Sequence, residues 1–219
     1  MMFNDIQTNS SQRIAEIREF FNFIAPLIPA APTSTPRYLN TCKGLVFVQL
    51  YGVIEYTILS TISKCIFYIN QESIKLNDVK PIILGLVLNP ELDSLMRVSL
   101  KKWDKRYSLF KKVEDDIIIN IANDLMPTDG KNIQYLQLQS IWNTFCLTEP
   151  IFHDIRFRGR LEDIVTNRIN IAHGNQSAAD VGTRMTLSEI KARVDDVSAF
   201  CSYFISVFED YIVNKKYKK

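Results

Sequence analysis

Arg168 and His173 are the two side chains in this sequence whose types and spacing best suit chemistry on a phosphate ester. They stand in the stretch NRINIAHGN, residues 167–175, with four residues between them. A guanidinium stays charged and presents a rigid fork of donors that matches two phosphate oxygens. An imidazole takes up and returns a proton near neutral pH. On a helix the two positions lie ~140° apart around the axis and ~7.5 Å apart along it. Arg168 falls inside an apolar stripe formed by Leu161, Ile164, Val165, Ile169 and Ala172. A buried, unpaired guanidinium is very costly. The stripe is therefore expected to border either a group that pairs the charge or a wet, anion-binding cleft. Gly174 suits the positive φ that ends a helix, which leaves His173 next to a loop. A purely structural origin explains each residue singly. Histidine is favourable near a helix C-terminus, and arginine often lies along an apolar edge with its head in water.

The elements that must position this pair are helical. Residues 10–24 carry Ile14, Ile17, Phe20, Phe21 and Ile24 at helical spacing. Four prolines in PLIPAAPTSTPR then break the chain into a loop over residues 25–37. A long helix follows, from about 38 to 69. Its segment GLVFVQLYGVIEYTILSTIS, residues 44–63, has one charge, Glu55, and is long enough to cross a bilayer. Glu55 and Gln49 near its middle argue against lipid, so a central, fully buried helix is expected. Asn77 or Asp78 can cap a short helix with Pro81 in its first turn, and Asn89-Pro90 starts another. Residues 113–130 read as an inserted short helix or strand with a Pro/Asp/Gly loop. Helical spacing returns over 131–147 and over about 158–173, before the polar loop GNQSAADVGTRM. Thr186 and Glu189 form a capping box for the last helix, which fades into a basic tail at 214–219. The expected architecture is an all-α bundle in a single domain, residues 1–219.

Composition excludes several function classes. The chain has 219 residues, 47% hydrophobic and 23% charged, enough to bury a real core. A net charge of +2 does not mark an obligate nucleic-acid binder, which is usually more basic. Cations do cluster at KKWDKR (101–106), RFRGR (156–160) and KKYKK (215–219). The first and third read as solvated surface. Arg156, Arg158 and Arg160 lie just ahead of the Arg168 helix and are candidates for guiding phosphates toward it. Cys42, Cys65, Cys146 and Cys201 are widely spaced in apolar contexts, as reduced, buried thiols would be. With only His153 and His173 besides, no zinc set is expected, and His153 carries no signature. The first residues show no basic stretch followed by an apolar one, so a cytoplasmic protein without a membrane partner is expected.

The string RINIAHG, residues 168–174, resembles the signature of the HEPN superfamily, an Arg and a His four to six residues apart on a late core helix. The lead-up LEDIVTNR is similar to bacterial branches of ribonuclease and toxin type, the RiboL-PSP and MAE-like ones. The resemblance implies a metal-independent endoribonuclease with no cofactor, acting as a toxin or antiviral defence effector. Arg168 and His173 would be its catalytic residues. It also implies a homodimer whose two motifs face one cleft, with a possible antitoxin or regulatory partner protein. Asn170 would orient the histidine or touch the phosphate, Asn175 would bind RNA, and Glu55 would pair with Arg168. Some family toxins carry a tyrosine two residues after the histidine, where a partner enzyme modifies them. Asn175 stands there in this chain, which argues against that kind of pairing. Two rivals remain: a non-catalytic HEPN-like module that binds RNA or protein, and a helical bundle whose motif is coincidence.

Overall fold

The computed structural model describes residues 2–30, 32–128 and 132–219. Among them are nine α-helices and no strand. In chain order they are α1 (Asn4–Ile24), α2 (Arg37–Gln71), α3 (Leu84–Val87), α4 (Asn89–Arg97), α5 (Lys102–Glu114), α6 (Tyr135–Phe145), α7 (Phe157–Ala172), α8 (Ala178–Thr183) and α9 (Leu187–Val213). The all-α expectation holds.

α2 is the axis of the bundle. Pro36, in extended conformation, ends the proline-rich loop and opens the helix. α1, α7, α8 and α9 pack around it. Its closest neighbour is the short α8, because two glycines face each other there. A Cβ on Gly44 would lie 1.9 Å from the Ala178 carbonyl oxygen, and one on Gly182 would lie 1.9 Å from that of Asn40. Only glycine allows the two backbones to approach this closely. The polar segment expected as a loop thus contains a helix, capped by Ser177 and Asp180 acting reciprocally.

The expectation of a fully buried α2 needs correction. Leu45, Val48, Leu59 and Phe67 are exposed, and Glu55 is only half-buried. Four neighbours cover most of the circumference and leave one stripe open. Gln49 lies on that stripe, and a Cβ at Gly52 would meet nothing within 4 Å. The helix is long and apolar enough to cross a membrane, with a mean hydropathy of 1.6 over its most apolar window, of which 56% is buried inside the protein.

α9 supplies the aromatic half of the core. Phe200, Phe204, Phe208 and Tyr211 recur on one face and meet Trp142 and Phe145 of α6 and Phe157 of α7. Its N-terminus is the capping box of Thr186 and Glu189. α7 is tied to it by a buried ion pair, Arg193 to Asp163 at 2.7 Å, with Arg193 also donating to the Glu189 carbonyl at 3.0 Å.

Between α5 and α6, Ile118 forms a single antiparallel bridge with Lys75, flanked by turns at 115–116 and 123–124. The Leu76 amide donates to the Ile117 carbonyl and the Ile119 amide to that of Ile74, both at 2.9 Å. Ile119 and Ile121 enter the core. Residues 129–131 lie outside the described residues. What does project is α4 with α5: α4 buries no side chain, and α5 buries Leu109 alone.

The basic tail is docked rather than solvated. The Lys80 amide donates to the Tyr217 carbonyl at 2.9 Å, and Tyr217 is fully buried. Lys215 and Lys218 clamp Glu72 at 2.8 and 2.7 Å, and Lys216 pairs with Glu149 and Asp210. Glu72 and Glu149 are distant in sequence, so composition alone suggests an open tail.

Candidate functional site

The last two turns of α7 carry Arg168 and His173 on different sides of one helix end. Leu161, Ile164 and Val165 anchor α7 against the core. Ala172, expected in the same stripe, is exposed instead. The apolar stripe therefore stops at Ile169, and the last turn reaches solvent.

Arg168 is half-buried on the α2 side. Its guanidinium carbon lies 4.6 Å from the ring centroid of Tyr51, a cation–π contact. Its Nη1 donates to Oδ1 of Asn132 at 3.0 Å. Among the described residues no carboxylate pairs with it. Glu55 sits one step behind: the Tyr51 hydroxyl donates to its Oε1 at 3.3 Å and accepts from the Ile133 amide at 3.1 Å. The expected Glu55–Arg168 contact is thus replaced by a relay through Tyr51. Burial, helped by the Glu55 carboxylate, raises the Tyr51 phenol above its usual range, against the opposing pull of the Ile133 amide and Arg168. The phenol stays neutral and its ring face stays available to the cation. Two neutral partners hold the guanidinium while leaving its charge unspent.

His173 is exposed and caps the helix, its amide donating to the Ile169 carbonyl at 2.9 Å. Gly174 has φ +72°, as its place after the helix requires. The amides of Gly174 and Gln176 return to the carbonyls of Ile171 and Asn170 at 3.2 Å each, so Asn170 closes the turn through its backbone. Its side chain is half-buried and that of Asn175 is exposed. Arg184 braces the loop by donating to Gln176 Oε1 at 2.7 Å and to Asn167 Oδ1 at 3.4 Å.

The arginines at the start of α7 are not gathered with Arg168. Arg156 pairs with Asp154 at 2.5 Å, and Arg160 with Asp196 at 3.3 Å. Arg158 lies 3.9 Å over the Tyr135 ring and meets Glu162 at 3.5 Å. Arg160 is about 12 Å from Arg168 along the helix axis. All three are solvent-exposed ion pairs.

Sequence reasoning missed Tyr51, Asn132 and Arg184. Tyr51 had a signal, since it precedes Glu55 by four positions and so shares its face. Asn132 and Arg184 had none. Among the described residues no group of three or more His, Cys, Asp or Glu side chains is arranged to hold a metal ion.

Compared with known protein families, residues 2–217 match the family described as MAE_28990-like HEPN. The chain belongs to the HEPN superfamily. The match spans nearly the whole length, so α1 through α9 form a HEPN-type module, a class whose members are commonly ribonucleases. No curated protein and no solved structure gives a significant match.

Proposed function

We propose that this HEPN protein is a metal-independent endoribonuclease, with His173 as general base and Arg168 as phosphate stabiliser. The observation that carries the reading is the state of Arg168. Among the described residues this half-buried guanidinium meets a tyrosine ring and an amide oxygen and no carboxylate, which leaves charge and donors for an anion. In this reading the scissile phosphate lies against Arg168. The imidazole takes the proton of the ribose 2′-OH, and the 2′-oxygen attacks phosphorus. The bond to the 5′-oxygen breaks, and that oxygen leaves with a proton from a second acid. The products are a 2′,3′-cyclic phosphate and a 5′-OH. Arg168 stabilises the charge that builds on the phosphorane oxygens. DNA, lacking the 2′-OH, is inert.

The second acid comes from a second copy. Within one chain the two side chains diverge around α7, and one histidine cannot be base and acid at once in the same step. The open stripe on α2 supports a two-fold pairing. Val48 and Glu55 lie within ~60° of Tyr51 on the helix wheel, so the stripe runs alongside the Arg168 cluster. An isologous contact over Leu45, Val48 and Leu59 would bring two such clusters to one cleft. A toxin or defence role, with an antitoxin or regulatory partner, fits the family and belongs to the same proposal.

The test is RNA cleavage in EDTA by the wild type and by His173→Ala, with end-group analysis and sedimentation of both. Cyclic phosphate ends from a wild-type dimer, lost in a folded dimeric variant, are expected. Equal cleavage by the variant, or no cleavage of any RNA by a dimer, would overturn the reading in favour of a binding module.

A further inference from the structure

α5 carries three large aromatic side chains on one stripe, all of them largely exposed. Trp103, Tyr107 and Phe110 are 76%, 70% and 67% exposed. They recur at spacings of four and three, which places the rings on one face over about 10 Å of helix. Cations surround them. From Arg97 through Val113 the sequence has seven basic residues, Arg97 included, against one acid, Asp104. Lys112 is paired with Glu91, and Lys111 with Glu114 and Asp115. Lys101, Lys102, Lys105 and Arg106 form no ion pair among the described residues. The Arg106 guanidinium carbon lies 4.6 Å from the centroid of the Trp103 ring.

We infer that this face of α5 is a stacking platform for single-stranded RNA. Flat, exposed rings at nucleotide-sized intervals offer π-faces to successive bases, and unpaired lysines beside them answer the backbone phosphates. The choice of RNA over DNA rests on the ribonuclease reading above. A second copy of the chain is a poor occupant, because protein interfaces are depleted of lysine. A lipid surface also accepts aromatic rings beside lysines, so anionic vesicles are the competing probe in the test below. The base of the arm is the pairing of Leu76 with Ile117, just past the end of α2. That end is about 30 Å along the helix from Tyr51. A strand held here and cut at Arg168 must be many nucleotides long, so the platform favours long single strands over short ones.

The experiment uses full-length His173→Ala, which keeps its RNA intact, with fluorescein-labelled oligouridylate, the matching duplex RNA and anionic phospholipid vesicles as probes. The triple variant Trp103→Leu, Tyr107→Leu, Phe110→Leu keeps apolar bulk and removes ring planarity. It is expected to lose at least about tenfold in oligouridylate affinity. Lys102→Gln, Lys105→Gln, Arg106→Gln should lower the salt slope of binding by about 2. Trp103 should become protected from acrylamide on binding, and the other tryptophan, Trp142, is already buried. Undiminished binding by the leucine variant, or binding to vesicles and not to RNA, overturns the platform. The two readings fail separately. A protein that binds oligouridylate through these rings but cleaves nothing removes the nuclease and keeps the platform. One that cleaves long RNA equally well with the leucines does the reverse.

Discussion

The two ends of α7 treat positive charge in opposite ways. At its start, Arg156, Arg158 and Arg160 each meet a carboxylate. One turn further, Asp163 neutralises the buried Arg193. At its end, Arg168 meets, among the described residues, a ring and an amide oxygen but no carboxylate. A charge already paired with a carboxylate must exchange that partner before it can hold a ligand. A charge held in place by neutral groups costs the fold more, and it is kept where an anion arrives. Within one helix, partner chemistry separates structural arginines from the one available for function.

The largest expected effect breaks this contrast directly. Arg168→Leu should lower RNA cleavage by about 10²–10³-fold while the protein still folds, because a leucine completes the apolar stripe. Arg160→Leu should leave cleavage nearly unchanged. Cleavage rates and melting curves of the two variants, measured side by side, decide the matter. Equal losses in both would mean that charge along α7, and not the state of Arg168, governs activity.

Much of this contrast was legible in the sequence, for physical reasons. The Arg168–His173 spacing, the positive φ of Gly174 and the Thr186–Glu189 box are local, and helical periodicity determines local geometry. The all-α fold follows from the same periodicity repeated. The partners of Arg168 were not legible, since Tyr51 and Asn132 reach it only through tertiary packing. Exposure was misread for a related reason. An apolar stripe looks the same whether a neighbour covers it, as on α9, or none does, as on the open side of α2. The docked lysine tail escaped because its carboxylates, Glu72, Glu149 and Asp210, are set by the fold and not by the spacing.

Asp163→Ala tests the structural half of the contrast. It leaves the Arg193 guanidinium, 7% exposed, without its carboxylate. The expected loss is about 3 kcal/mol of stability, the size found when one partner of a buried pair is removed. Chemical denaturation measures it, and per folded molecule the cleavage rate should hold. A loss below about 0.5 kcal/mol would class the pair with surface ion pairs.

Tyr51 links the two halves, and two substitutions separate its roles. Tyr51→Phe keeps the ring under Arg168 but leaves the Ile133 amide without its acceptor. It should cost about 1–2 kcal/mol of stability and affect the KM for RNA only weakly. Tyr51→Leu removes the ring face as well, worth about 1 kcal/mol more, and should raise the KM by releasing the guanidinium. If the two variants behaved alike in KM, the ring would not be what positions Arg168.

The smallest effect concerns the docked tail, the other place where cations are fully answered. Glu72 is pushed up by burial, yet hydrogen bonds from Lys215 and Lys218 outweigh this and hold its carboxyl at about 2, against 4.5 for a free glutamate. A depressed carboxyl contributes stability in full above its unfolded value and loses it as the pH falls toward the folded one. The contribution is therefore complete above pH 4.5 and gone near pH 2. With partly exposed lysines as partners, it amounts to about 1 kcal/mol or less. Glu72→Gln should lower the melting temperature slightly at pH 7, and the gap from wild type should close across the acid range. A gap that stayed constant down to pH 2 would mean that the lysines do not answer this carboxylate. The tail would then be the solvated segment its composition suggests, and pairing would no longer distinguish it from the free cations of α5.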